Sequence, residues 1–431
     1  MDAFVARGGG PLHGTVRVSG AKNSALKLVA AALLAPGQAV IRNVPDIADM
    51  RVMAQVLEHL GVAVRTEPGQ YTLDVPDDIG DATPEHLVRM LRASIIVLGP
   101  LLARRGHARL AMPGGCNLGN RSIDMHLSGL QQMGAEIVYG ADYVEAWAPR
   151  LRGADIELPF ASVGATENLL MAAVTAEGTT RLSNVAREPE IADLAAYLSA
   201  MGARIEGAGS PEIVIHGVPA LHAADHTVVP DRIEAGTFAV AAALTGGEIR
   251  VEEAVAGHLR LPLEKLRAIG AEVDEEERAF TVRGGGRLKG ADVVTLPYPG
   301  FPTDLQPQFL VLLARAHGTS IVTENVFDGR FSILDELRRL GADVSMEGHH
   351  AMIRGPRALS GTTVRATDLR AGAALVLAGL VAGGETVVTD PYHVDRGYED
   401  FAGKLRALGA DVERHRPEGR PVEADLAAGV G

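Results

Sequence analysis

Cysteine and aromatic residues are scarce in this chain of 431 residues. It contains one cysteine, Cys116, one tryptophan, and 4% aromatic residues in total. A single cysteine excludes an internal disulfide bond, which fits a reducing compartment, and it excludes a zinc site built from several thiolates. The sequence therefore favours a protein that depends on neither disulfide bonds nor a zinc–thiolate site.

The chain also lacks an excess of positive charge, a signal peptide and a long apolar run. Its 41 Lys and Arg residues stand against 54 Asp and Glu residues, a net charge of −13, which argues against a nucleic-acid or anionic-membrane partner. The first ten residues have no apolar core of the signal-peptide type. The longest nearly apolar stretch, 371–384, is too short to cross a bilayer. We expect a soluble cytoplasmic protein in which any anionic ligand meets a local basic pocket.

What the chain has in abundance is a repeat in which a helix end is followed by a strand. The pattern is Leu, two variable residues, an apolar residue, Gly, and then Ala or Val. Its six glycines are Gly61, Gly134, Gly202, Gly270, Gly341 and Gly409. Each follows an amphipathic segment, so each predicts a half-exposed helix that ends at a left-handed residue and leads into a strand.

A second kind of segment, apolar on all sides, precedes each of these helices. Such a segment predicts a buried helix. The six segments are 24–34, 93–103, 169–176, 238–244, 309–316 and 371–381. The six units indicate an α/β fold with two domains of three units each, in which sheets and outer helices enclose buried central helices.

The domain boundaries follow from the strand-like start of the chain. The run 14–20 precedes the first unit and can pair elsewhere, and a second crossover is expected near Val229. We therefore predict one domain over 22–229 and a second, discontinuous domain made of 1–21 and 230–431. Residues 413–431 lie beyond the last repeat and are expected to form a flexible tail.

Polar residues stand where each buried helix is expected to begin. They are Lys22 with Asn23, Arg92, the run 164–168, the run 234–236, Thr303 with Asp304, and Asp368 with Arg370. Helix N-termini that point into one cleft add N–H groups and positive dipole ends to an anion site. Capping alone explains the Asn, Thr and Asp residues. It does not explain the cations, because a cation at a helix N-terminus opposes the dipole and needs an anionic partner. A small, strongly anionic ligand is indicated.

Residues 111–126 form the most distinctive single stretch. Gly114, Gly115 and Gly119 surround Cys116, and Arg121 follows closely. A thiol near cations tends to be reactive, whereas a cysteine used only for packing usually sits in an apolar run. We interpret this stretch as a closing loop with a functional thiol. Nucleophile, redox sensor and general acid remain open on these grounds.

Taken together, these motifs resemble those of the enolpyruvyl transferases. The stretches that carry the resemblance are 19–23, 92–94, 113–116, 162–168, 187–191, 230–234, 301–304, 369–370 and 395–398, with Arg121. The resemblance covers nearly the whole chain. It implies an inside-out α/β barrel with two domains of three units each, which agrees with the repeat count. The branch of the family that it resembles transfers the enolpyruvyl group of phosphoenolpyruvate to the 3′-hydroxyl of UDP-N-acetylglucosamine and releases phosphate. That reaction is the first committed step of peptidoglycan precursor synthesis.

The resemblance also implies roles for individual residues. Cys116 would protonate the methylene carbon of phosphoenolpyruvate, and Asp304 would accept the proton of the sugar hydroxyl. The residues implied for the phosphate and carboxylate of phosphoenolpyruvate are Lys22, Arg121 and Arg396, with Arg92 and Arg370 completing a basic cleft. Those implied for the UDP-sugar are Asn23, Arg121, Ser122, Ile123, Asp124, Met125, Ser162, Val163, Gly164, Asp304 and Val326. No metal or organic cofactor is implied. We expect a monomer whose only partners are its two substrates.

The chain departs from the family pattern in three respects. Ser122 stands where proline is usual, Ile95 and Ile96 replace an aromatic residue of some members, and Phe160 replaces a lysine of others. All lie near the expected uridine or sugar side, so a specialised paralogue that acts on another uridine nucleotide remains an alternative. A non-catalytic UDP-sugar-binding homologue is a second alternative, against which the intact Cys116 argues. The shikimate-pathway relative fits less well, because its mechanism uses no loop cysteine.

Overall fold

The computed structural model of the chain describes residues 2–111 and 123–416. The helices of this part are α1 Lys22–Ala31, α2 Ala48–His59, α3 Glu85–Met90, α4 Leu98–Arg105, α5 Asp124–Gln132, α6 Val163–Ala173, α7 Pro189–Ala200, α8 Arg232–Thr245, α9 Arg260–Ile269, α10 Gln306–Arg315, α11 Ile333–Arg339, α12 Leu369–Gly379, α13 Tyr392–Asp395 and α14 Phe401–Ala407.

The strands of the described residues are β1 Ala3–Arg7, β2 His13–Arg17, β3 Gly37–Arg42, β4 Ala63–Glu67, β5 Gln70–Val75, β6 His107–Ala111, β7 Glu136–Tyr139, β8 Tyr143–Trp147, β9 Asp155–Glu157, β10 Thr179–Ser183, β11 Arg204–Glu206, β12 Glu212–His216, β13 His226–Thr227, β14 Glu248–Glu252, β15 Glu272–Glu275, β16 Ala279–Arg283, β17 Val293–Val294, β18 Gly318–Thr323, β19 Asp343–Glu347, β20 His350–Gly355, β21 Thr363–Arg365, β22 Glu385–Thr389 and β23 Asp411–His415.

These strands form six small sheets in the described part of the chain. Their strand orders are β13-β3-β5-β4, β6-β8-β7, β11-β12-β10-β9, β15-β16-β14-β2, β17-β18-β20-β19 and β21-β22-β1-β23. Each four-stranded sheet joins antiparallel neighbours to one parallel strand at an edge. The chain is therefore an α/β protein built from six small sheets, five of them mixed.

The sixfold repeat of helix ends is confirmed. All six repeat glycines have φ between 93° and 117°. In every copy, the N–H of the residue after the glycine donates to the carbonyl of the repeat leucine, at 3.0 to 3.1 Å. This is the hydrogen bond of a Schellman ending, and it requires a left-handed residue at the glycine position. A strand begins two residues after each glycine, in β4, β7, β11, β15, β19 and β23.

The chain divides into two compact units. One, called the 20–229 unit, contains the described residues of that range, and the discontinuous unit contains 2–19 and 230–416. In the discontinuous unit, β2 pairs in parallel with β14, and β1 pairs with both β22 and β23. The first two strands of the chain therefore complete sheets of its C-terminal half.

Each unit buries three helices along most of their length. These are α1, α4 and α6 in the 20–229 unit, and α8, α10 and α12 in the discontinuous unit. Small residues allow close approach: a Cβ added at Gly99 in α4 would lie 2.3 Å from the carbonyl oxygen of Asn168 in α6. Any side chain at Gly99 would push these two helices apart.

The predicted tail begins too early. Residues 413–415 belong to β23, which pairs with β1, for example Arg414 with Phe4. Arg414 also forms an ion pair with Asp395 at 2.8 Å. Pairing with an open strand edge explains why the chain stays ordered here beyond its last repeat glycine. Residues 417–431 lie outside the described residues. Among the described helices, none combines the length and apolar character that a membrane crossing needs.

Candidate active site

Asp304 lies just before the buried helix α10, between two buried arginine side chains. It belongs to a short 3₁₀ turn, Thr303–Leu305, that leads into α10. Its Oδ1 accepts a hydrogen bond from Arg330 Nη2 at 2.5 Å, and its Oδ2 accepts bonds from Arg370 Nη2 and Nε at 3.1 and 3.3 Å. The Asp304 side chain is 24% exposed, whereas both arginine side chains are only 2% exposed. Buried cations thus orient a carboxylate that remains partly accessible.

Asp368 adds a second carboxylate to these cations. It is the N-cap of α12, and its Oδ1 accepts hydrogen bonds from the backbone N–H groups of Arg370 and Ala371 at 2.8 and 3.1 Å. The same oxygen lies 3.6 Å from Arg330 Nη1. Since an unpaired buried charge is costly, the two carboxylates allow both arginines to remain buried.

Glu324 connects the loop after β18 to the turn that carries Asp304. Its carboxylate accepts hydrogen bonds from Thr295 Oγ1 and Thr303 Oγ1, both at 2.9 Å. It also accepts the backbone N–H of Val326 at 2.8 Å. The predicted substrate residue Val326 is therefore held next to the turn of Asp304.

Polar side chains from neighbouring elements surround Arg370. Gln308 Nε2 donates to Thr237 Oγ1 at 3.0 Å and to the Tyr398 hydroxyl at 3.1 Å. The Arg370 guanidinium lies 5.3 Å from the centre of the Tyr398 ring. Burial alone would lower the pKa of Arg370, but Asp304 and Tyr398 outweigh it and raise the pKa above its ordinary value. Arg370 is therefore a permanent cation at the start of α12.

Arg396 is buried directly after the short helix α13. Burial first, and then the charge of Arg396, lower the pKa of His393 to about 4. His393 is consequently neutral at neutral pH, and the local positive charge comes from the arginine.

We expect acid to destabilise the protein through His393. Its folded-state pKa of about 4 lies below the ordinary value of 6.5, so its contribution to stability is complete above pH 6.5 and is lost as the pH falls through 4. The shift corresponds to about 3 kcal/mol at most. The free energy of unfolding, measured in urea at neutral pH and again near pH 4, should fall by more in the wild type than in His393→Gln. Equal losses would contradict the shift.

Lys22 opens the buried helix α1 and is paired with a buried carboxylate. Its Nζ lies 2.8 Å from Oδ2 of Asp49, which stands in the first turn of α2. Both side chains are buried, and Asn23 is half-buried beside Lys22. Among the residues that the structure describes, no side chain caps α1. The first turn of α1 thus carries a lysine and an amide, and Asp49 of the same unit balances the charge of the lysine.

The starts of α5 and α6 meet through His126. A Cβ added at Gly164 would lie 3.2 Å from the His126 ring, whose Nδ1 is 3.0 Å from Asn168 Nδ2. Ser162 caps α6 by accepting the N–H of Ala165 at 3.4 Å. Of the other predicted residues here, Ile123 is buried, Asp124 is exposed, and Met125 and Val163 are half-buried.

Three predicted site residues, Cys116, Arg121 and Ser122, lie outside the described residues. Arg92 opens the 3₁₀ turn Arg92–Val97 ahead of α4. In the described part, the structure brings Asp304 into contact with Arg370 and joins Val326 to the Asp304 turn. No group of His, Cys, Asp and Glu in that part could hold a metal ion.

Sequence reasoning missed Asp49, Glu324 and Arg330. The sequence indicated that Lys22 needs an anionic partner, but no spacing in the sequence identified Asp49 as that partner. Arg330 lies in a 3₁₀ turn, Asp328–Ser332, without any periodic pattern. Its role follows only from its contact with Asp304.

A model of the EPSP synthase (3-phosphoshikimate 1-carboxyvinyltransferase) family matches residues 6–405. The chain belongs to the enolpyruvyl transferase family. Two curated members that resemble it are UDP-N-acetylglucosamine 1-carboxyvinyltransferase 1 of Halalkalibacterium halodurans and UDP-N-acetylglucosamine 1-carboxyvinyltransferase 2 of Carboxydothermus hydrogenoformans. Each is 52% identical over 96% of this chain, and the matches cover 94% and 99% of those proteins. The resemblance seen in the motifs is confirmed.

Solved structures of enolpyruvyl transferases have the same fold. The enolpyruvyl transferase NikO from Streptomyces tendae matches with a TM-score of 0.88 and 29% identity, over 96% of this chain and 99% of that one. EPSP synthase from Acinetobacter baumannii matches with a TM-score of 0.76 at 20% identity, over 96% of this chain and 100% of that one. At 20% identity the second match supports the fold alone.

Proposed function

We propose that this enolpyruvyl transferase transfers the enolpyruvyl group of phosphoenolpyruvate to the 3′-hydroxyl of UDP-N-acetylglucosamine and releases phosphate. The observation that carries the proposal is the 52% identity to UDP-N-acetylglucosamine 1-carboxyvinyltransferases over 96% of the chain. The reaction is the first committed step of peptidoglycan precursor synthesis. Both substrates are phosphorylated metabolites that do not cross a bilayer unaided, so we place the reaction in the cytoplasm.

The chemistry requires an acid at one carbon of phosphoenolpyruvate and a base at the sugar hydroxyl. Proton transfer from the Cys116 thiol to the methylene carbon makes the neighbouring carbon cation-like, and the sugar oxygen attacks that carbon. Asp304 accepts the hydroxyl proton. Because the product keeps a methylene group, the new methyl group returns one proton to the Cys116 thiolate as the bond to phosphate breaks. The proton held by Asp304 leaves with the phosphate, so both groups regain their starting states. A positioned acid or base of this kind typically contributes about 10²- to 10⁴-fold to the rate.

Asp304 suits the role of base because its surroundings orient it without covering it. Arg330 and Arg370 hold both carboxylate oxygens, yet a quarter of the side chain is exposed. An oxygen fixed in this way can meet the sugar hydroxyl in a single geometry, which lowers the entropic cost of the step.

The cations serve the two anionic substrates in this proposal. Lys22, Arg121 and Arg396 hold the phosphate and carboxylate of phosphoenolpyruvate, while Arg92 and Arg370 complete the basic surroundings. Arginine suits such groups because its planar fork binds two oxygens at once. Fixed cations also stabilise the charge that develops on departing phosphate.

The remaining predicted residues form the UDP-sugar site in this proposal. They are Asn23, Arg121 to Met125, Ser162 to Gly164, Asp304 and Val326. Backbone N–H groups at the start of a helix such as α6 are suited to bind a diphosphate. We further propose that the six units build an inside-out α/β barrel of two three-unit domains, 22–229 and the remainder. The predicted closing loop falls in 111–126, of which 112–122 lie outside the described residues.

Phosphate release tests the proposal. The chain incubated with phosphoenolpyruvate and UDP-N-acetylglucosamine should release phosphate, and omission of either substrate should stop the release. Absence of release from the complete mixture would refute the proposed reaction. Release with only a different uridine nucleotide would instead identify the specialised paralogue.

A further inference from the structure

Lys27 and Glu167 form a buried ion pair between the two helices that carry Asn23 and Val163. Lys27 Nζ lies 3.2 Å from Glu167 Oε2, and the side chains are 10% and 0% exposed. Lys27 follows Asn23 by one turn of α1, and Glu167 follows Val163 by one turn of α6. Residues four apart share a helix face. The pair therefore joins the faces on which those two proposed substrate residues stand.

Lys27 also holds the backbone of Asn23 directly. Its Nζ donates a hydrogen bond to the Asn23 carbonyl at 2.6 Å. A side-chain cap and an acidic residue in the first turn usually stabilise a helix start. Within the described residues, α1 has neither of them. Contacts with other elements hold this turn instead; for example, Ser24 Oγ donates a hydrogen bond to Asp193 Oδ2 on α7 at 2.5 Å. The position of this turn therefore depends on its neighbours.

An ion pair is a costly way to join two buried helices. Well-packed apolar residues in its place are often equally stable or more stable, because both charges lose their hydration. Within the described residues, neither oxygen of Glu167 accepts a hydrogen bond of normal geometry. Stability alone is thus a poor reason for this pair, whereas fixing the two helices in one arrangement is a sufficient one.

We propose that Lys27 and Glu167 are positioning residues for the UDP-sugar site. They hold the first turn of α1, with Asn23, at a set distance from the first turn of α6, with Ser162 and Gly164. The inference rests on the proposed function, since it assigns those two turns to the same ligand.

The titration of Glu167 provides a second way to test the role of the ion pair. Burial raises its pKa to about 7, with Lys27 opposing the shift and Glu190 and Glu188 adding to it. The charged groups that face Glu167 are thus Lys27 on α1 and the two glutamates at the start of α7. Protonation removes the anion opposite Lys27, so affinity for UDP-N-acetylglucosamine should fall as the pH drops through neutrality.

Steady-state kinetics of Glu167→Gln test the proposal. We expect the KM for UDP-N-acetylglucosamine to rise about tenfold, in the range of couplings between contacting charged residues. The kcat should change by less than about threefold, because the reacting groups are untouched. The rise of that KM below pH 7 in the wild type should be absent from the variant. The Lys27→Met, Glu167→Gln double variant should be no worse than the worse single variant, since the residues act as a unit.

The control is Ile213→Ala on β12, a fully buried position outside both helix starts. It should lower thermal stability and leave the KM unchanged, which separates positioning from a general loss of stability. Calorimetric binding of UDP-N-acetylglucosamine gives a readout that needs no turnover, so failure of the proposed reaction does not mask the result. The pH dependence of the Kd can be measured on the wild type alone, so the proposal can be tested even if a variant fails to fold. An unchanged Kd in folded Glu167→Gln, or a wild-type Kd that is flat from pH 6 to 8, would overturn the proposal.

Discussion

Asp304→Asn is expected to lower kcat by about 10²- to 10⁴-fold, the usual contribution of a general base. Asparagine keeps the shape of the side chain, and its carbonyl oxygen can still accept a bond from Arg330 or Arg370. It cannot take up the proton of the sugar hydroxyl. Binding of UDP-N-acetylglucosamine should persist, since the loss concerns the transition state more than the ground state.

Phosphate release and calorimetric binding measure these two effects separately. Asp343→Asn is the matched control, because Asp343 also contacts two arginines, Arg354 at 3.4 Å and Arg357 at 2.8 Å, but at the start of the edge strand β19. That variant should keep its turnover. Unchanged turnover in Asp304→Asn would remove Asp304 from the mechanism.

Cys116→Ala is expected to have a comparable effect on turnover, again about 10²- to 10⁴-fold, because the proposed general acid is removed. Cys116 is also the only thiol in the chain, which makes labelling unambiguous. A small phosphonate epoxide should add once to the wild type and not at all to the variant, as measured by the mass of the intact protein. Continued labelling of the variant would contradict the assigned thiol, and unchanged turnover would contradict its role as acid.

The sequence predicted the six outer helix ends to the residue because a local rule governs them. A left-handed residue must follow the last turn, and glycine adopts that conformation without strain. The hydrogen bond from Val62 to Leu57, repeated in the other five copies, depends only on residues within one turn. Tertiary packing has little influence on such an ending.

The starts of the buried helices were less predictable. The apolar runs 169–176 and 238–244 predicted only the interiors of α6 and α8, and the polar first turns of these two helices lay outside the predicted segments. The predicted helix 93–103 begins instead as the 3₁₀ turn Arg92–Val97. Capping was expected at several polar residues and occurs at Asp368, which caps α12. Asn23 does not cap α1. The local sequence shows which residues are able to cap a helix, whereas packing against neighbouring helices determines which of them does so.

The positions of the cations at the helix starts were predictable from the sequence, whereas their carboxylate partners were not. Lys22 and Arg370 oppose a helix dipole, and each has a carboxylate partner, Asp49 and Asp304 respectively. Arg330 carries no such local sign. It became recognisable only when the fold brought its turn against Asp304.

Identification of the enlarged nucleotide by mass spectrometry is the most direct test of the account. The chain would be incubated with phosphoenolpyruvate and an equimolar mixture of UDP-N-acetylglucosamine, a second UDP-sugar and shikimate 3-phosphate. We predict that UDP-N-acetylglucosamine alone gains one enolpyruvyl group, at least about 100-fold faster than the other acceptors, as expected of a site that hydrogen-bonds its own substrate. Enlargement of another acceptor in its place, or of none, would contradict the account.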